Sequence, residues 1–245
     1  MKKLLLLLLA GFYVNAQEVF ILSPIIVAQE DIADFENIQK KYLTPLAQDA
    51  VNEKTMKGWA LLKKVPGIGS PDNKTNYIWV GVFDNITQMV SRKEWWENSD
   101  SKFGIPSDIL YDSPKIERKG RYFYKTERQI ETDNPGKYII LNWATPKDLS
   151  KMIELQGPVE KHFRKNIIKS GMLGWGMATR IAPQGSDYST AFWWDIYDSM
   201  ENTMKHLSNG AATKGLSDQI MKDFNDNIPN GWDNRVIFEF VTGTN

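Results

Sequence analysis

The sequence predicts an α+β fold made twice over, each half a β-α-β-β-α-β unit. Three observations predict it. Aromatic landmarks recur at a near-constant offset, apolar runs of strand length alternate with stretches of helical period, and a polar, turn-rich segment divides the chain near its middle. Gly58-Trp59 matches Gly174-Trp175 at an offset of 116. Trp79, Phe83 and Asp84 match Trp193, Tyr197 and Asp198 at an offset of 114.

The elements follow in order. Phe20 to Val27 and Tyr138 to Ala144 open the two halves as apolar strands. Helices come next: Ile32, Phe35, Ile38, Tyr42 and Leu46 recur every three or four residues, as do Leu149, Met152, Leu155, Val159 and Phe163. Pro45 and Pro158 fall inside these stretches and are expected to bend or break them. Each half then has a hairpin with a Gly/Pro loop, followed by a second helix with Asp84 or Asp198 as its expected N-cap. The closing strands are Arg121 to Glu127 and Arg235 to Val241. The divider is Glu131-Thr132-Asp133-Asn134-Pro135-Gly136, which sets the halves at 17–130 and 137–245.

This order is the ferredoxin-like arrangement, in which right-handed crossovers put both helices on one face of a four-stranded sheet. The third strands show that the other face is not wet. Ile78, Val80 and Val82 alternate with Tyr77, Trp79 and Phe83, while Phe192, Trp194 and Ile196 alternate with Trp193, Asp195 and Tyr197. Both faces are largely apolar, so the simplest cover for the second face is the sheet of the sister repeat. The expectation is two tandem ferredoxin-like repeats packed sheet to sheet, with Trp79 and Trp193 pointing into the space between them.

With these landmarks the chain resembles the dimeric α/β-barrel superfamily in a fused, tandem form. The resemblance spans nearly all of the chain after residue 16. It rests on element order and on the Gly-Trp and Trp/aromatic-Asp landmarks, and it assigns no single family. Similar members include monooxygenase-like, NIPSNAP-like and stress-responsive barrel domains, and chlorite-dismutase-like and dye-peroxidase-like haem proteins share the architecture. One fold hosting so many chemistries does not carry a function with it.

Composition narrows the classes. The 245 residues are 42% hydrophobic and 24% charged, which is globular, and 30 basic residues balance 30 acidic ones, which removes the footprint of a general nucleic-acid binder. Cysteine is absent, so disulfides, thiol nucleophiles and thiolate metal sites are excluded. His162 and His206 are the only histidines, too few for a multi-histidine metal centre. No metal is expected, and no cofactor beyond the one haem reading below.

The candidate site residues come from the aromatic strands. If Trp79 and Trp193 face one space, alternation puts Gly81 and Asp195 on the same side. A carboxylate at Asp195 would be desolvated and poised as a general base unless it is paired, and Arg180 on the neighbouring strand is the expected partner. Asn142, beside Trp143, is the candidate carbonyl binder; the monooxygenase-like resemblance implies such a polar group beside aromatic rings. Trp79, Trp193, Trp175, Tyr197 and Arg180 are the expected ligand-binding set. The haem-binding relatives imply an axial histidine on a helix of the second repeat, which would fall on His162, although its neighbours Glu160, Lys161, Arg164 and Lys165 point to a solvated helix face. Glu239, a lone charge in an apolar strand, reads as inward or as the mark of a solvated edge.

The amino terminus supplies an address. MKKLLLLLLAGFYVNA has a basic start, an apolar run too short to span a bilayer, and small or compact residues at Val14 and Ala16. A secretory leader cut after Ala16 is expected, giving a soluble exported protein, periplasmic or extracellular, of bacterial type. The expected activity is binding of a small apolar or aromatic ligand between the two sheets. The alternatives are a cofactor-independent monooxygenase or isomerase, and a packed interaction module with no cavity. A monomer or a homodimer is expected, with no nucleic-acid or membrane partner after cleavage.

Overall fold

The computed structural model describes residues 17–68, 74–91, 94–112, 114–134 and 136–245. The expected leader, residues 1–16, lies outside the described residues. Nine strands form one antiparallel sheet: β1 (Val19–Val27), β2 (Gly58–Lys64), β3 (Tyr77–Phe83), β4 (Ile116–Arg118), β5 (Tyr122–Ile130), β6 (Tyr138–Ala144), β7 (Met172–Ala182), β8 (Ala191–Tyr197) and β9 (Asn234–Gly243). The order is β3-β2-β9-β6-β8-β7-β5-β1-β4, and an added β1–β3 pairing closes eight strands into a barrel-like ring. Strand β4 lies outside the ring and pairs with β1 at Ile25–Val27, beyond the last β5 contact at Leu22.

The order within each half is the same: β5-β1-β3-β2 in the first and β9-β6-β8-β7 in the second. Register also agrees. Trp59 lies opposite Gly81, and Trp175 lies opposite Asp195. The halves face each other across the interior and also bond edge to edge, through β2–β9 and β5–β7. Closure removes the open edges that a four-stranded sheet would expose.

The helices coat the outside. In the first half they are α1 (Ile32–Ile38), α2 (Thr44–Asn52), α3 (Ile86–Val90), α4 (Ser99–Phe103) and α5 (Ser107–Asp112); in the second, α6 (Leu149–Ser170), α7 (Met200–Asn209) and α8 (Asp218–Asn227). Pro45 occupies the first turn of α2, where the missing N–H costs nothing, directly after a π turn at Gln39–Leu43. Pro158 was expected to bend or break its helix, yet α6 runs through it for 22 residues. Met152, Val159 and Phe163 are buried against the sheet along its length and hold it there. The caps of the second helices fall one residue later than expected. Asn85 and Ser199 accept from the backbone N–H of Gln88 and Asn202, while Asp84 and Asp198 instead accept from side-chain amides of those same residues.

Three apolar cores result. Phe20, Leu22, Leu62, Ile78, Tyr124, Leu141, Phe192 and Phe238 line the barrel interior. A second core joins β1–β3 to the first-half helices, and a third joins β6–β9 to α6–α8. The Trp95–Trp96 pair lies in a short 3-10 turn, and Trp95 packs edge-on against Trp59 at 6.0 Å.

Candidate functional site

Trp79 and Trp193 do not point between the sheets. Both lie on the helix side, in the outer cores. Because both faces of β3 and β8 are apolar, alternation alone does not decide which face turns inward. The indole N–H decides it, since a buried donor needs an acceptor. Trp79 Nε1 donates to Gln39 Oε1 at 2.9 Å, and Trp193 Nε1 donates to Gln156 Oε1 at 3.2 Å. Gln39 and Gln156 are themselves 3% and 1% exposed. The same tryptophan–glutamine lock therefore occurs once per half.

Asp195 follows Trp193 to the helix side, as alternation requires. It is buried, and Asn142 Nδ2 donates to its Oδ2 at 2.8 Å. The two candidate chemical residues are thus joined directly. The expected ion pair between Asp195 and Arg180 does not form. Arg180 lies five positions from Trp175 on β7, an odd step that turns it to the opposite face. It sits at a mouth of the barrel among Tyr122, Tyr124 and Tyr188, within 5.5 Å of each ring.

Around Asn142 and Asp195 is a cavity of about 250 Å³. Trp175, Trp193, Phe224 and Trp232 wall it, and His206 and Arg235 add to its polar lining beside Gln156, Thr213 and Asn225. Arg235 lies opposite Asn142 in the β6–β9 register, and His206 reaches in from α7. Arg235 Nη2 lies 3.3 Å from His206 Nε2. A guanidinium only donates, so Nε2 accepts, and the proton of the neutral imidazole belongs on Nδ1. Burial, reinforced by the Arg235 charge, holds the His206 pKa below 6.5, while Asp195 pulls it the other way. Tyr197, expected in the binding set, packs its ring 5.7 Å from His206 behind the cavity. Burial and the Asp195 charge raise its phenol pKa, so the hydroxyl stays neutral.

The polar atoms here are incompletely satisfied. Asn142 Oδ1, His206 Nδ1, Arg235 Nε and the Tyr197 hydroxyl are buried without a hydrogen-bond partner. Among the described residues Arg235 makes no ion pair. Buried polar groups are normally paired, and three of these four orphans, on Asn142, His206 and Arg235, line one cavity, which is the signature of a site built for something else.

The first half lacks this chemistry at the same place. Ser23 lies opposite Trp79 as Asn142 lies opposite Trp193, and Gly81 stands where Asp195 does. Tyr111 stacks on Trp79 at 5.4 Å and on Trp96 at 5.1 Å, which leaves about 70 Å³. One half is packed shut and the other is open and charged.

Sequence reasoning missed His206, Arg235, Trp232 and Gln156 as site residues. For Arg235 and Trp232 a signal existed, since both stand in the Trp232-Asp233-Asn234-Arg235 run that opens β9. His206 carries none, because its helix looks ordinary.

His162, the candidate axial haem ligand, keeps its Nε2 buried without a hydrogen-bond partner. Its ring lies between α6 and the Gly215 turn, with Cε1 only 3.5 Å from where a Cβ on Gly215 would stand, and it does not line the cavity. The cavity itself falls below the ~300–1,000 Å³ of drug-sized sites. Among the described residues no cluster of three or more metal-ligating side chains occurs. Glu239 stands at the solvated surface, 3.8 Å from Lys137.

The fold is an eight-stranded antiparallel barrel-like sheet coated by helices, and solved structures share it. The chain is similar to a proposed monooxygenase from Lactobacillus acidophilus, with 13% identity, TM-score 0.54 and coverage of 93% of this chain and 96% of that one. A proposed monooxygenase from Fusobacterium nucleatum matches at 12% identity and TM-score 0.54, covering 94% and 95% of the two chains. An anthrone oxidase-like protein matches at 9% identity and TM-score 0.52, covering 93% and 92%. At these identities the likeness is one of fold. No family model and no curated protein matches the chain.

Proposed function

We propose that the chain binds a small planar molecule bearing a carbonyl or anionic oxygen, in the helix-side cavity of its second half. The observation that carries this is the set of orphaned polar atoms on Asn142, His206 and Arg235 around a space walled by Trp175, Trp193 and Trp232. The donors on Arg235 and His206 suit an oxygen acceptor, and the indoles suit a ring. An apolar cavity of about 150 Å³ holds benzene, so about 250 Å³ suits one or two rings. This reading puts its site on the far side of one sheet, where the sequence reading put a site between the sheets.

This reading includes two tandem ferredoxin-like repeats, 17–130 and 137–245, joined by 131–136. Their shared strand order and paired tryptophan–glutamine locks support it. It also includes export, for which the leader sequence is the only support. A single chain closes the barrel, so a monomer suffices.

Catalysis is the second reading, and the Asp195–Asn142 pair favours it. A carboxylate oriented by an amide inside an aromatic cavity is placed to take a proton from a bound ring system, and Arg235 is placed to hold the anion that results. This would be a cofactor-independent oxygenase or isomerase, a reading in keeping with the proposed monooxygenases among the fold neighbours.

Native mass spectrometry of the chain purified without denaturant tests the binding. A discrete adduct that is lost in Arg235→Met supports it. An adduct of equal occupancy in Arg235→Met overturns the assignment of this cavity. For the catalytic reading, Asp195→Asn is expected to keep the adduct and abolish turnover of it.

A further inference from the structure

We propose a second binding site, at the Arg180 mouth of the barrel, for an amphipathic monocarboxylate. It is independent of the helix-side cavity, because it lies on the opposite face of the sheet.

The site has a cation with no anion. Arg180 stands on β7 at the end of the β7–β8 hairpin, caged by Tyr122, Tyr124 and Tyr188 at 5.1, 4.9 and 5.5 Å. Its Nε donates to the Ser189 carbonyl at 2.6 Å, and its Nη1 is buried with no partner. Among the described residues Arg180 makes no ion pair. Two carboxylates stand at the rim, and neither takes the role. Asp233 Oδ2 accepts from both Ser189 Oγ and Thr145 Oγ1 at 2.7 Å, and the Asp187 carboxylate accepts from Ser186.

The cage fixes the guanidinium without neutralising it. Three ring faces hold the planar cation, and the Ser189 carbonyl fixes its rotation. A preorganised fork with a free N–H matches a carboxylate, which it binds with two parallel hydrogen bonds. Beside it opens a cavity of about 410 Å³, whose apolar wall is Leu22, Ile78, Val236 and Phe238. A carboxylate head therefore meets Arg180 while an aliphatic or aromatic body lies on the barrel core. A neutral amide of the same shape offers Nη1 one uncharged carbonyl oxygen and turns an NH2 donor towards the guanidinium where a carboxylate offers a second oxygen, so the site selects for charge.

Octanoate and its neutral analogue octanamide are the probes, followed by calorimetry and by the indole N–H resonances of the chain. Octanoate is expected to bind one to one, with octanamide weaker by about tenfold or more. Arg180→Gln is expected to weaken octanoate by a similar factor, Arg180→Lys to keep part of the affinity, and Arg235→Met to leave it unchanged. The Trp143 indole, which donates to Tyr124 and lines this mouth, is expected to shift while Trp193 does not. Equal affinity for the two probes, a shift of Trp193 without Trp143, or no binding up to about 10 mM overturns the proposal. If Arg180→Gln does not fold, charge selectivity and the indole shifts of the unaltered chain decide.

Discussion

His206 and Arg235 meet at 3.3 Å inside a protein cavity, and their chemistry is readable by titration. The imidazole pKa is expected below 6.5 by NMR. Asp195→Asn removes the charge that raises it and should lower it further, and Arg235→Met should raise it. A pKa in Asp195→Asn above that of the unaltered chain would contradict the geometry. The linkage has a definite sign. Below pH 6.5 the unfolded chain protonates this group before the folded one does, so stability should fall as pH drops from 6.5 towards the folded value. His206→Gln should flatten that slope in denaturation curves. Asn142 and Asp195 were legible in the sequence because each is a polar interruption of an apolar strand. His206 was not, because nothing local marks a helical histidine as inward, and Arg235 carried only the Trp232-Asp233-Asn234-Arg235 run that opens β9.

Gln156 on α6 and Gln39 at the π turn each bind one buried indole, and at the level of elements these bonds fix which face of the sheet meets the helices. Replacing either glutamine with leucine should cost about 1–3 kcal/mol, because the indole N–H is then buried unpaired. Equal stability in urea would show that the lock is dispensable. Strand β7 carries a second device. A Cβ on Gly176 would stand 1.9 Å from the Trp194 ring, so the bare backbone makes room for that indole inside the barrel. Gly176→Val should destabilise by about 1–3 kcal/mol or more. A full-stability variant would contradict the tight inner packing. Element order was legible from the 114–116 offsets and strand periods, which survive because both halves face the same two-layer problem. The inward face was not legible, because Ile78, Val80 and Val82 are as apolar as their alternates, and the deciding partners lie some 40 residues away in sequence.

The molecule as a whole is a closed ring whose two outer flanks have diverged. The first flank is sealed by Trp79, Tyr111 and Trp96; the second holds a cavity with Asn142, Asp195, His206 and Arg235. The two flanks share one strand order and differ in what fills them. It was partly visible in the sequence, where Gly81 stands against Asp195, but the aromatic stack that fills the first flank draws on Tyr111 and Trp96, which have no marked counterparts. The most direct test is titration of the chain with 1-indanone, a planar ketone, while following the tryptophan indole N–H resonances. The account predicts that Trp175, Trp193 and Trp232 shift together and that Arg235→Met abolishes the shifts. Shifts confined to Trp143 and Trp194 would place the ligand inside the barrel and contradict it.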